Sequence, residues 1–214
     1  MTPANHRQEG AVLLVALVML LVLTLLAVGS MRNVTLETRI TANRAQTTKL
    51  VNIADAGLRE AEFRYYGPGN IADKLTANAE NCSSSNTLKT NGVNKPCLLA
   101  VVIGERQNFV EKPWDVTSNA LTEASQGGLI WMPYRGTEAS NATQANDTYD
   151  VGWNSLLAGE SNTAAVNAEY GMTLEGQGTY FYLNNGKATP KENIAGAGLY
   201  LQSTHANIYL GLNN

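Results

Sequence analysis

The chain is 214 residues long with a formal net charge of −3; 44% of its residues are hydrophobic and only 15% charged, where an average soluble protein has about 25%. So near-neutral a balance excludes a polybasic nucleic-acid binder, and the apolar content excludes an acidic disordered chain. Two cysteines and two histidines leave little material for a metal cluster.

Taken in chain order, the first element is a short polar leader, Met1 to Gly10. No charged residue occurs from Gly10 to Met31, and Ala11 to Val28 is apolar at every position except Thr24. As a helix, such an 18-residue run rises about 27 Å, close to the hydrocarbon thickness of a bilayer. A core helix of a soluble domain normally keeps a polar face, and this run has none. A membrane span is the favoured reading. Two other kinds of membrane segment stay open: a secretory signal cut near Ala27-Val28-Gly29, although the apolar core exceeds the roughly 7–15 residues of such signals, and a plain single-pass anchor.

From Met31 to Tyr65 there is no Pro and a single Gly, Gly57, while six basic and four acidic residues appear. Val51, Ala54, Leu58, Ala61 and Tyr65 recur at helical spacing as one apolar stripe, with Arg59, Glu60, Glu62 and Arg64 largely off it. The apolar run therefore continues, without a breaker, into an amphipathic helix, about 80 Å in all. Gly29-Ser30 is the candidate kink, and Gly67-Pro68-Gly69 the stop. An anchor followed by a short juxtamembrane coiled coil is the alternative.

The polar leader ending in Gly10 resembles the class III leader of type IV prepilins. Gly10-Ala11-Val12-Leu13-Leu14-Val15-Ala16-Leu17, Leu23-Thr24-Leu25-Leu26, Gly29-Ser30-Met31-Arg32, Thr35-Leu36-Glu37 and Ala54-Asp55-Ala56-Gly57-Leu58-Arg59-Glu60-Ala61-Glu62 are similar to PilX-type minor pilins of type IV pili. The resemblance implies cleavage between Gly10 and Ala11 by a prepilin peptidase, then methylation of the new N-terminus. Gly10 has no side chain to obstruct a protease and lets the backbone stay extended ahead of the helix. It also implies other minor pilins, the major pilin, an inner-membrane assembly platform and, before assembly, membrane lipid as partners. The chain departs from the family at the fifth mature position. Most pilins carry Glu there, opposite the N-terminal amine of a neighbouring subunit, and this chain has Val15. A bulk filament subunit without that carboxylate leaves a buried ammonium uncompensated, so the likeness narrows to low-abundance pilins.

Residues 66–214 are enough for one core and carry eight basic against thirteen acidic residues. Leu98 to Ile103, Leu129 to Met132, Thr179 to Leu183, Leu199 to Gln202 and Ile208 to Leu210 read as strands; Met172 to Glu175 is expected to pair with the Tyr180 strand, which ends in a turn at Asn184-Asn185-Gly186. Thr137 to Asp150 and Ala158 to Asn167 read as polar loops. Leu199 to Ala206 also looks like the last strand of PilX-type heads. The expected fold is α+β and pilin-like: a leader (1–10), a transmembrane or filament-core helix (11–30), its amphipathic continuation (31–65), and a periplasmic head (66–214) whose antiparallel sheet packs on the helix.

Cys82 and Cys97, fifteen apart, lack the spacing of a redox or zinc pair. A disulfide in an oxidising compartment is the favoured reading, with two free thiols the alternative. His205 has no Ser, Cys or Asp at a telling spacing and reads as structural. Asn146, Asp147 and Asp150 lack the order and the Gly of a calcium loop, and Gly176-Gln177-Gly178 and Gly196-Ala197-Gly198 lack the third Gly of a nucleotide loop. No enzyme and no cofactor is expected. Two competitors remain: a type II secretion minor pseudopilin, and a membrane-tethered periplasmic binding module.

Overall fold

A computed structural model of the chain describes residues 9–65, 76–89, 93–136, 148–161, 178–191 and 197–209. It divides into two units, Met1–Thr48 and Lys49–Asn214. The first consists, among its described residues, of the larger part of helix α1, Glu9–Phe63. The helix passes through Gly29 and Ser30 without interruption. Gly10 corrects the sequence reading: it is helical rather than extended ahead of the helix. The first turn of a helix is where a glycine costs least, because its N–H groups have no intrahelical partner to lose. The helix ends at Phe63, before Gly67-Pro68-Gly69, which lie outside the described residues.

The second unit is α+β. The end of α1 packs on a sheet of five strands: β1 (Leu98–Leu99), β2 (Met132–Pro133), β3 (Tyr149–Ser161), β4 (Gly178–Pro190) and β5 (Leu199–Tyr209). The order is β1-β3-β4-β5, with β2 also on β3; β1 runs parallel to β3 and the other pairs are antiparallel. Between β1 and β2 lie a short helix, α2 (Arg106–Glu111), and several 3-10 turns.

The face that α1 buries differs from the sequence stripe. Ala54, Leu58, Ala61 and Tyr65 are buried as expected, but Leu50 and Ile53 are buried with them and Val51 is exposed. Leu50, Ile53 and Ala54 pack with Tyr149 and Ala188 and with the half-buried Val151, Leu199 and Leu201. Close approach comes from two glycines. A Cβ at Gly186 would sit 2.5 Å from the Ala54 carbonyl oxygen and 2.8 Å from the Leu58 nitrogen, and one at Gly57 would sit 2.9 Å from the Gly152 oxygen. Backbone meets backbone here, so no side chain fits.

That contact explains one correction. Asn184-Asn185-Gly186 is not a turn: β4 runs straight through it. Gly186 is spent on helix packing, and both buried amides find partners inside the sheet. Ser155 Oγ donates to Asn184 Oδ1 (2.6 Å), and Asn185 Nδ2 donates to Asn154 Oδ1 (2.9 Å). With Asn184 Oδ1 and Asn185 Nδ2 bonded in an extended strand, and only Asn185 Oδ1 of that amide left without a partner, the local turn preference of Asn-Gly is overridden.

Other strands move for similar reasons. Tyr149 to Ser161, whose first residues and last four were read as loop, is a 13-residue strand paired along its length with β4. The apolar run Leu98–Ile103 contributes only two strand residues; Val101 makes an isolated bridge to Leu121, and Ile103 enters a 3-10 turn 81% exposed. Of Leu129–Met132 only Met132 is strand, joined by Pro133. Leu199 to Tyr209 is one strand rather than two. The expected strand Met172–Glu175, the loop 137–147 and residues 162–167 lie outside the described residues.

Candidate functional site

The residues that matter for the sequence reading stand on α1. Every residue from Gly10 to Lys49 is exposed, including Leu13, Leu14, Leu17, Met19, Leu20, Leu23, Leu25 and Leu26 at 62–70%. Covering each of these side chains is worth about 1.5–3 kcal/mol, so such a surface demands lipid or other helices around it. Its one polar side chain from Ala11 to Val28 is satisfied internally: Thr24 Oγ1 donates to the Leu21 carbonyl oxygen at 2.8 Å. A hydroxyl bonded back to its own helix tolerates an apolar medium. Gly10 and Ala11 are exposed at the start of this surface, and nothing stands within 4 Å of where a Gly10 Cβ would be. Val15 is 56% exposed among aliphatic side chains.

The far end of α1 is held by a polar group that the sequence pattern hid. Glu60 and Arg64, read as lying largely off the buried stripe, are both buried. Arg64 Nη2 pairs with Glu60 Oε1 at 3.0 Å, and the guanidinium carbon lies 5.2 Å from the centre of the Trp153 ring. Burial pulls the Arg64 pKa down, and the hydrogen bond and charge of Glu60 oppose it. Glu60 Oε2 accepts from the backbone N–H groups of Arg135 (2.7 Å) and Gly136 (3.0 Å). Arg64 Nη1 donates to Asn86 Oδ1 (2.9 Å), and Asn86 Nδ2 donates to the carbonyls of Asn81 (2.6 Å) and Lys95 (2.9 Å). Cys82 and Cys97, both buried, are joined by a disulfide that closes the loop carrying Asn86. One helix turn thus ties down a disulfide loop on one side and the start of the Arg135–Gly136 segment on the other. The i, i+4 Glu–Arg spacing was visible, but spacing alone does not tell a solvated pair from a buried one.

His205 sits on β5 between rings rather than beside a nucleophile. Its ring centre lies 4.7 Å from that of Tyr65 and 5.2 Å from that of Tyr182. Asn184 Oδ1 is engaged by Ser155, so the amide turns its Nδ2 toward His205 Nδ1 at 2.7 Å, and Nδ1 is the acceptor. Ser203 Oγ donates to Glu62 Oε1 at 2.6 Å, tying β5 to α1. Asp150 is exposed on β3, and Asn146 and Asp147 lie outside the described residues. Among the described residues no three His, Cys, Asp or Glu side chains cluster as metal ligands do.

Residues 9–59 match the family model "PilX N-terminal". No curated protein and no solved structure matches the chain. The matched segment covers the exposed apolar run and most of the helix that reaches the head, and its family is one of structural pilins. Over residues 9–59 the chain is therefore similar to the N-terminal segment of PilX-type pilins of type IV pili.

Proposed function

We propose that this chain is a minor pilin, made as a prepilin, cut between Gly10 and Ala11 by the prepilin peptidase and methylated at Ala11. The observation that carries the reading is the uncovered, charge-free helix surface beginning at Gly10, inside the segment matched to PilX N-termini. This surface suits two environments in turn. It is held by lipid as a single span of the inner membrane with the head in the periplasm, and then by neighbouring helices in a filament core, since lipid tails and apolar helices solvate it alike. The partners are the other minor pilins, the major pilin and the inner-membrane assembly platform. Val15 in place of the family's Glu supports a subunit that primes assembly and sits near the tip, with nothing ahead of it to neutralise. Twitching motility, adhesion or DNA uptake are the activities such a pilus serves. The disulfide is in keeping with an oxidising periplasm.

The test is the mass and sequence of the N-terminus of protein extracted from membranes. Ala11 with a methylated amine is expected; a start at Met1 or near Ser30 sinks the reading. The missing Glu fits a type II secretion minor pseudopilin equally well. Deleting the gene separates the two: loss of surface pili supports the first, and loss of secreted protein with pili intact supports the second.

A further inference from the structure

Beyond the apolar run, α1 carries a belt of positive charge. Residues 31–54 hold four basic residues, Arg32, Arg39, Arg44 and Lys49, against one acidic residue, Glu37, whereas residues 55–214 hold ten basic against sixteen acidic. Arg32, Glu37, Arg39 and Arg44 are all exposed. None of the three arginines has an acidic residue three or four positions away, the spacing at which a helix pairs its charges. Accordingly, among the described residues the arginine ion pairs are those of Arg59 and Arg64, and the belt has none.

Arg32 and Arg39 are set apart by position. Seven residues apart, they lie within about 20° of each other around the helix. Thr35, between them in sequence, donates its hydroxyl back to the Met31 carbonyl at 2.8 Å and leaves the guanidiniums to other acceptors. At about 1.5 Å per residue, Arg32 stands about 6 Å beyond Val28, the end of the apolar run, Arg39 about 16 Å and Arg44 about 24 Å. A headgroup layer extends roughly 5–7 Å past the hydrocarbon, and helix side chains lean toward the N-terminus, here toward the bilayer. That puts Arg32 among lipid phosphates, and Arg39 within about a Debye length of them, roughly 8 Å at physiological salt. Arg44 is beyond both. A guanidinium takes a phosphate through two parallel hydrogen bonds. A zwitterionic headgroup already holds an ammonium beside its phosphate and an anionic one does not, so charge complementarity selects the anionic lipid.

We propose that Arg32 and Arg39 bind the phosphate of an anionic phospholipid at the bilayer surface from which α1 emerges. The site rests on the membrane span proposed above and deepens it: two charges on one face favour one depth and one rotation of the helix while lipid surrounds it.

The experiment uses the full chain reconstituted in phosphatidylcholine vesicles doped with spin-labelled phosphatidylglycerol or spin-labelled phosphatidylcholine. It reads the fraction of each label whose motion the protein restricts. Phosphatidylglycerol should be held about fivefold more strongly at low salt, the effect of one well-placed arginine at an anionic surface, and the preference should shrink as salt is added. Arg32→Gln/Arg39→Gln should bring the ratio close to one. Arg44→Gln/Lys49→Gln removes the same charge farther from the bilayer and should keep the wild-type ratio. Gln is as good a helix former as Arg, so both variants should melt as wild type. Equal restriction of the two labels by the wild type overturns the proposal alone; restriction of neither overturns the membrane span and the proposal with it. A ratio lowered as much by Arg44→Gln/Lys49→Gln as by Arg32→Gln/Arg39→Gln also overturns it, by making the preference a matter of net charge. So does energy transfer between labelled copies in pure phosphatidylcholine that Arg32→Gln/Arg39→Gln abolishes, which would assign the arginines to the acidic head of a second copy.

Discussion

Glu60, in the last turn of α1, and Arg64, just past its end, pair at 3.0 Å with side chains only 2% and 0% exposed. Each spends its remaining capacity on a different part of the head: Glu60 on the N–H groups of Arg135 and Gly136, Arg64 on Asn86. The pair is therefore a joint between helix and head rather than an ornament of the helix surface.

Removing one partner should be costly, because the other is left charged, buried and unpaired. Glu60→Ala or Arg64→Ala is expected to destabilise the head by about 3–5 kcal/mol. Denaturant unfolding followed by near-ultraviolet circular dichroism, to which the Trp153 ring under Arg64 contributes, reads the loss. An Arg59→Ala control should cost under about 1 kcal/mol, since its pairs with Asp55 and Glu62 are solvent-exposed.

Glycine substitutions should sort by what lies above them. Gly186→Ala drives a methyl into the α1 backbone at Ala54 and Leu58 and is expected to cost about 1–3 kcal/mol or more. Gly104→Ala, with nothing within 4 Å, should leave the thermal midpoint essentially unchanged. Equal midpoints for the two variants would contradict the close helix–sheet contact.

The disulfide between Cys82 and Cys97 closes a loop of sequence separation 15. Removing it as Cys82→Ser/Cys97→Ser, or by a reductant, should cost on the order of 3 kcal/mol through the unfolded chain. It should also loosen Asn86, so hydrogen exchange at residues 81–89 ought to rise before that of β3 and β4.

Acid should weaken the head through His205. Desolvation pulls its pKa below the usual value, Glu62 on α1 opposing, while Tyr65, Tyr182 and Asn184 surround the ring. A lowered folded-state pKa means that the unfolded chain binds the proton first. Stability from the neutral ring is therefore complete above about pH 6.5 and is lost as pH falls through the folded-state pKa. A protonated Nδ1 also faces the Asn184 donor. Between pH 7 and pH 5 the urea midpoint of the wild type should fall further than that of His205→Gln; parallel curves would refute the account.

If the missing carboxylate places the subunit, restoring it should displace the subunit. Val15→Glu is expected to lose tip localisation and lower piliation. Normal localisation and normal pilus number would argue against a role for Val15 in position.

What the amino-acid sequence determined by itself is the chain's N-terminal third. Eighteen residues, Ala11 to Val28, with no charge and one hydroxyl, specify a helix that must be covered by something apolar, because transfer free energy and backbone hydrogen bonding act locally and need no partner to be computed. The ordered segments from Gly10 to Glu62 likewise carried the family likeness, which the match over residues 9–59 meets. The α+β class of the head followed from strand-like runs after a helix. What only tertiary structure decided is where polar residues went. Glu60, Arg64, Asn184 and Asn185 read as solvent or turn residues and are buried, because partners distant in sequence bond them: Gly136 is 76 residues from Glu60, and Asn154 is 31 from Asn185. A polar side chain is excluded from a core only while it lacks a partner, and the partner is a property of the fold. Gly186 makes the same point: next to Asn185 it signals a turn, and under Ala54 and Leu58 it is the place where helix and strand touch.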